Sequence, residues 1–258
     1  MKNVILLLTN KVSCEVINEY YKLSELNADK YDVFLLYHSN GIIPDEIKKL
    51  NYFSFTDSII TDLGFYPVGD GLIPGSLHFP IFEFYKHYSD YDNYWFIEDD
   101  VKFNGNWSYF FNNVDKIECD LLSTDVRDIY KPEHYFAYSE KSKMIIPWFW
   151  FNSLVHPTKV FKNHEKIVSF NPIYRLSNNA IKYLFDELRD GWKGHNEILL
   201  ASLLKIGGYK IVDFGGIGEY VYKDNIGLFY NKETHRYLPI YEEAGDIENF
   251  IYHPVKKF

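Results

Sequence analysis

Two cysteines, Cys14 and Cys119, are all that the chain holds, and they stand far apart in no CxxC spacing. That argues against a disulfide framework and fits a reducing, cytoplasmic location. Long apolar runs are also missing. No window approaches the ~20 apolar residues of a membrane span, so membrane contact is at most peripheral, at the inner face. The opening run, residues 4–8, is five apolar residues with no small-residue cleavage site behind it; it reads as a buried strand rather than a signal peptide. A basic excess is absent as well. The net charge is -9, from 27 basic and 36 acidic residues, which argues against nucleic-acid binding. It leaves room for a carboxylate-bound metal that offsets a phosphate ligand. Gly215-Gly216-Ile217-Gly218 follows a strand but precedes no helix and lacks the Lys-Ser/Thr of a phosphate-binding loop. Ser153 and Cys14 lie in no nucleophile elbow, and His156, His164 and His235 have no metal-ligand spacing.

What is abundant is apolar and aromatic. Hydrophobic residues make up 47% of 258, so the chain is globular and long enough for one large α/β domain with a full core. Aromatics reach 19%. They have two readings: a compositional bias shared with frequent Asn, Lys and Ile, and ring faces that stack on sugars or bases.

Residues 4–9 read as a first buried strand, 14–26 as a helix, 32–37 as a second strand, 44–50 as a short helix with Pro44 at its start, and 52–55 as a third strand. This β-α-β-α-β opening predicts an α/β, Rossmann-like domain: a mostly parallel central sheet, right-handed crossovers and helices on both faces. Residues 64–75 hold four glycines and two prolines and read as a loop. Helices are predicted over 76–88, 107–114, 177–189 and 196–206, and short strands over 120–123 and 209–214. Ser177 is placed to cap the third of these helices, and Gly207-Gly208 to end the fourth. Residues 130–142 read as a loop or insertion. Residues 144–151 read as an aromatic strand, with Trp148 and Trp150 on one face as core or as a sugar platform. The segment 215–258 reads as irregular. With no repeat and no linker, one domain spans residues 1–258.

The most informative segment is Tyr94-Trp95-Phe96-Ile97-Glu98-Asp99-Asp100-Val101. An apolar strand runs straight into three carboxylates. It is either a solvated strand end or a site for a hard divalent cation, since oxygen ligands at the C-terminal edge of a sheet suit Mg²⁺ or Mn²⁺. In an extended strand Glu98 and Asp100 share one side and Asp99 takes the other. Gly194-His195-Asn196-Glu197 opens a helix. Glu197 there is a first-turn acid favoured by the helix dipole, or a general base for a hydroxyl. Tyr252-His253-Pro254-Val255-Lys256 places an imidazole among apolar neighbours, where its neutral form can complete the shell of a carboxylate-bound cation. Lys256 and Lys257 beside it suit phosphate oxygens.

Taken in order, these pieces resemble the GT-A class of glycosyltransferases, across most of the chain. Glu98-Asp99-Asp100 stands where that class has Asp-x-Asp, with Glu in the first position. The stretch from Tyr94 to Phe111 is also similar to a set of transferase-like proteins that carry Arg-x-Ser ahead of Gly-His-x-Glu, here Arg175-Leu176-Ser177 and Gly194-His195-Asn196-Glu197.

The resemblance implies a GT-A-like domain whose residues 1–100 form a nucleotide-binding half and 101–258 an acceptor-binding half and tail. Asp100 and His253 would hold Mn²⁺ or Mg²⁺ on the diphosphate of a nucleoside-diphosphate sugar. Glu98 and Asp99 would serve as outer-sphere or ribose groups, and Thr9, Asn10 and His38 would lie under the base and ribose. Asp70 is a further donor-binding candidate, Lys256 a phosphate contact, and Arg175 a phosphate or acceptor contact or a structural ion pair. Glu197 would take the acceptor proton if the reaction inverts. The expected activity is sugar transfer to a glycan or glycolipid hydroxyl, in cell-surface polysaccharide synthesis. A nucleotidyltransferase, a glycoside hydrolase and a non-catalytic sugar-binding module are the alternatives. The first would show a Gly-rich loop after strand one, where Thr9-Asn10-Lys11-Val12-Ser13 stands. The second needs two acids flanking a sugar.

Overall fold

Alternate residues of the opening apolar run have opposite destinations. Val4 and Leu6 join a core on one side of a sheet, and Ile5 and Leu7 join a core on the other. A strand that is apolar at every position has to be buried on both faces, which is the condition of a central strand in a parallel sheet. The computed structural model describes residues 2–26, 28–72, 74–128, 138–139, 144–145 and 151–256.

The strands in chain order are β1 (Asn3–Thr9), β2 (Tyr31–His38), β3 (Tyr52–Phe55), β4 (Asn93–Glu98), β5 (Lys102–Asn104), β6 (Leu121–Asp128), β7 (Tyr138–Ser139), β8 (Met144–Ile145), β9 (Ile167–Ser177), β10 (Ile211–Asp213) and β11 (Phe250–Tyr252). The helices are α1 (Cys14–Ser24), α2 (Asp45–Lys48), α3 (Ile59–Asp62), α4 (Phe79–His87), α5 (Trp107–Val114), α6 (Asn178–Asp190) and α7 (Asn196–Ile206). The central sheet has seven strands in the order β10-β6-β9-β4-β1-β2-β3. All are parallel except β9, which runs antiparallel to β4 and β6. Helices α3, α4, α6 and α7 cover one face, and α1, α2 and α5 the other. This is the α/β, mostly parallel architecture that the hydrophobic pattern predicts. No helix of the described residues is long and apolar enough to cross a membrane.

Strand β9 escapes a pattern-based reading for a physical reason. It is buried at nearly every position and so shows no alternation. It also contains Pro172, which reads as a break; here Pro172 sits where β9's pairing with β6 changes register. A second difference lies in the segment read as irregular, where β11 pairs antiparallel with β5. Of the predicted loop over 130–142, only Tyr138–Ser139 is described, and it pairs with Met144–Ile145. The rest of that loop, the remainder of the predicted 144–151 strand up to 150 with Trp148 and Trp150, and Lys257 lie outside the described residues. Phe151 opens a 3-10 turn, Phe151–Ser153. Ser177 caps α6 as expected, accepting from the Ala180 N–H.

Arg175 requires a correction. It does not reach the C-terminal edge of the sheet, where a phosphate or an acceptor would bind. Its side chain is buried and donates through Nη2 to the carbonyl oxygens of Ile117 (2.7 Å) and Cys119 (3.4 Å). Its guanidinium lies 5.8 Å from the Trp95 ring centroid. It therefore ties β9 to the turn that leads into β6, satisfying carbonyls that the turn leaves open. Arg175→Ala strands those acceptors in a low-dielectric setting, so the expected loss is about 1–3 kcal/mol. Urea denaturation measures it, and the affinity of the purified variant for Mn²⁺ or a nucleoside diphosphate should match the parent. A loss of ligand affinity with no loss of stability would return Arg175 to the binding site.

Candidate metal and nucleotide site

Strand β4 carries its apolar residues to Ile97 and ends at Glu98, at the C-terminal edge of the sheet. The Val101 N–H bonds to the Glu98 carbonyl (3.0 Å), and this turn sends the chain into β5. The three acids then part company. Asp99 Oδ2 accepts from Thr9 Oγ1 (2.6 Å), at the end of neighbouring β1, while Lys102 Nζ donates to the Asp99 carbonyl (2.9 Å). Asp100 Oδ2 pairs with Lys256 Nζ at 3.1 Å, and Asp100 Oδ1 lies 3.4 Å from His253 Nε2. Glu98, Asp100 and His253 present one donor atom each, all within 4.8 Å of one another.

His253 reaches Asp100 because β11 is held by β5, pairing Tyr252 with Lys102. The Val255 N–H then bonds to the Asp100 carbonyl (2.8 Å). His253 Nδ1 lies 2.9 Å from the Arg236 carbonyl oxygen. A carbonyl only accepts, so Nδ1 carries the proton and Nε2 presents a lone pair. Burial holds the imidazole pKa below its ordinary value, against the opposing pull of Asp100, so the neutral form is favoured. A lone pair therefore faces Asp100 Oδ1, a buried carboxylate oxygen that accepts no hydrogen bond. The 3.4 Å approach is not an ion pair while the ring is neutral. Glu98 adds a third electron-rich group, and its own pKa stands well above the carboxylate range, first through burial and then through Asp100, Glu197 and Asp99. Two carboxylates and one imidazole nitrogen converging this closely, with one oxygen unbonded, suit a divalent cation of the Mg²⁺ or Mn²⁺ type.

The acids form one end of a cleft of about 290 Å³. Its other end is apolar and aromatic. The His38 ring stacks on Phe55 (centroids 5.1 Å apart, planes 1° from parallel), and His38 Nε2 meets Asp57 Oδ1 at 3.0 Å. Thr9, Asn10, His38, Glu98, Asp99, Asp100 and Lys256, singled out from the sequence, all line this one cleft. Lys11, Phe55, Leu72 and Leu77 line it too. The signal for Phe55 is its place at the end of a short strand; for Leu72 and Leu77 no local pattern exists, because a loop brings them in. Asp70 is exposed and is not among the lining residues; on its loop the apolar Leu72 turns into the cleft instead.

Glu197 stands behind the acids. It occupies the first turn of α7, its Oε2 3.5 Å from His195 Nδ1, and it is close enough to Glu98 to disfavour that group's ionisation. It is not a lining residue of the cleft. His195 caps α7 by accepting the Glu197 N–H (3.3 Å), and burial pushes its pKa down to about 3. Gly75 packs on this ring: a Cβ there would fall 2.6 Å from His195 Cδ2, and its φ is +103°. Only glycine meets both demands. The loop end is held to the helix by the Asn196 N–H on the Gly75 carbonyl (2.9 Å).

No protein-family model and no curated protein matches this chain. Solved structures similar to it include the bifunctional glycosyltransferase WbbM, with 9% identity over 89% of this chain and a TM-score of 0.41. The chain covers 39% of WbbM's length. Another is an active-site mutant of LgtC, with 9% identity over 83% of this chain and 72% of that one, TM-score 0.41. A third is mouse xyloside xylosyltransferase 1, with 11% identity over 80% of each chain, TM-score 0.41.

The charge balance of the site makes a directional prediction. Asp100→Asn and His253→Ala each remove a donor and should weaken Mn²⁺ binding by on the order of tenfold or more. Lys256→Met removes a cation that competes for Asp100 and should strengthen binding of Mn²⁺ alone by a few-fold. Isothermal titration without nucleotide reads both; equal affinity in the parent and all three variants would remove the cation from this cluster.

Proposed function

We propose that this protein is a metal-dependent glycosyltransferase, moving a sugar from a nucleoside-diphosphate donor to a hydroxyl of a glycan or glycolipid in cell-surface polysaccharide synthesis. The observation that carries the reading is the facing of His253 Nε2 and Asp100 Oδ1 at 3.4 Å, with Glu98 beside them, where both acids line a cleft that also holds a lysine and a stacked aromatic pair. That combination suits a ligand with a charged diphosphate at one end and a flat base at the other.

In this reading Asp100, His253 and Glu98 hold Mn²⁺ or Mg²⁺. The bound cation supplies Lewis-acid neutralisation of the charge that develops on the diphosphate leaving group. Lys256 turns its ammonium from Asp100 to the phosphate oxygens, a point charge on a flexible stem. Thr9, by bonding Asp99, keeps that carboxylate against β1, where Asn10 and the His38–Phe55 stack receive ribose and base. Glu197 is the candidate proton acceptor for the incoming hydroxyl in an inverting reaction.

The alternatives account for less. A glycoside hydrolase has no use for a lone-pair imidazole turned on a carboxylate. A nucleotidyltransferase would be expected to carry a glycine-rich, basic loop after β1, and residues 10–13 contain no glycine. A sugar-binding module leaves the buried, unbonded Asp100 oxygen without a role.

Thermal-shift measurements with nucleoside diphosphates, with and without Mn²⁺, test the proposal. Stabilisation should require both ligands together, of order 2–3 kcal/mol at a hundredfold excess over Kd, and Asp100→Ala should abolish it. No response to any nucleoside diphosphate would overturn the reading.

A further inference from the structure

His235, which has no metal-ligand spacing in the sequence, lies directly behind the candidate cation site. It is buried, and its ring centroid is 5.5 Å from that of His253, 4.9 Å from Phe170 and 5.2 Å from Tyr230. Its Nε2 lies 2.9 Å from Thr124 Oγ1 on β6. The Thr124 hydroxyl donates to the Phe170 carbonyl (2.6 Å), which uses its single proton. Thr124 Oγ1 therefore accepts, and His235 donates from Nε2.

The residues on either side of His235 grip His253. The His253 N–H bonds to the Thr234 carbonyl (2.9 Å), and the Arg236 N–H bonds to the His253 carbonyl (3.1 Å). Arg236 further supplies the carbonyl that takes the His253 Nδ1–H (2.9 Å). Among the described residues, the segment that fixes the tautomer of His253 reaches the central sheet through the His235 side chain.

We infer that His235 is a positioning residue for His253: by seating the 234–236 segment on Thr124 and Phe170, it holds the Arg236 carbonyl where it keeps the proton on His253 Nδ1 and aims Nε2 at Asp100. His235 itself touches no ligand. Outer partners that orient a metal-bound imidazole contribute on the order of 10–100-fold to affinity in other sites. The consequence for metal affinity rests on the metal reading above; the consequence for the tautomer does not.

The experiment takes the full chain and the variants His235→Ala, His235→Phe, His235→Gln and Thr124→Val. Nitrogen-15 NMR of the metal-free proteins at neutral pH reads the tautomer of His253, and isothermal titration with Mn²⁺ alone reads affinity. Far-UV circular dichroism and thermal melting check folding. In the parent, His253 should be protonated on Nδ1. His235→Ala and His235→Phe should mix the tautomers and weaken Mn²⁺ binding about tenfold or more. His235→Gln, whose amide nitrogen can replace Nε2–H, should restore both. Thr124→Val, which keeps the ring and removes its acceptor together with the hydroxyl's bond to the Phe170 carbonyl, should reproduce the tautomer mixing if His235→Ala does not fold. A packing role alone would lower melting temperatures and leave tautomer and affinity unchanged, which would overturn the inference. A parent that shows the Nδ1 tautomer but binds no Mn²⁺ would defeat the metal reading instead, while the variants' tautomers would still decide the role of His235.

Discussion

Strand β4 is paired on both edges and buried on both faces, and the placement of every charge around it depends on that. Between Tyr94 and Ile97 an ionised side chain would sit unpaired in a low-dielectric medium, at a cost of several kcal/mol. The first position at which an acid is tolerated is the strand's end, and three acids follow there in succession. Parallel alignment with β1 places Leu8 beside Glu98, so Thr9 arrives at the edge next to Asp99. The location of the site follows from β4 being closed to unpaired charge along its length.

Crowding three carboxylates is itself unfavourable, and the surrounding residues offset it unevenly. Asp99 is met by the Thr9 hydroxyl and Asp100 by the Lys256 ammonium. Glu98 responds through a raised pKa. The backbone of the acidic turn is braced from the other side of the sheet. Lys102 reaches from the Asp99 carbonyl towards buried Glu19, 3.8 Å away, and Glu19 accepts from Trp107 Nε1 (2.7 Å). A cluster held against its own repulsion by packing is a familiar condition of functional sites, where local strain is carried by the rest of the fold.

Much of this is legible in the sequence. Elements whose burial follows a simple period could be read: β1, β2 and β4 as apolar runs, and α1, α6 and α7 as helices with recognisable starts or stops. The acids of β4, Glu197 and His253 stood out because charge beside a buried run is rarely idle. What could not be read has a common cause, which is dependence on distant partners. Strand β9 is buried on both faces, so it shows no period, and its proline marks a register change that only its neighbours reveal. Arg175 reads in sequence equally as a ligand-binding cation or as part of a structural ion pair, and its partners are the carbonyls of Ile117 and Cys119, 58 and 56 residues earlier in the chain. His235 had no spacing that suggested a role, because what it orders is a main-chain carbonyl. Asp70 is the converse case: glycine-rich context points to a ligand loop, and the loop does line the cleft, but through the apolar Leu72 while Asp70 is exposed.

The candidate donor set draws on two parts of the chain. Glu98 ends a strand of the central sheet and Asp100 lies in the turn that follows it, while His253 belongs to a segment with short stretches of regular pairing, β11 against β5 and isolated bridges at His235 and Tyr241. Few of its backbone groups are in ladders, so its order rests on the burial of residues such as Phe229, Ile251 and Tyr252 against a cost of about 1–2 kcal/mol of conformational entropy per ordered residue. A cation held by both parts would add its binding free energy to the docking of the segment, because His253 is a ligand only when docked. The same docking brings Lys256 to the cleft through the Val255 bond to Asp100. In the proposed reading, metal affinity, order in this segment and the supply of a phosphate-binding cation would be coupled through one short antiparallel pairing, and a change that loosens β11 from β5 would act on all three at once.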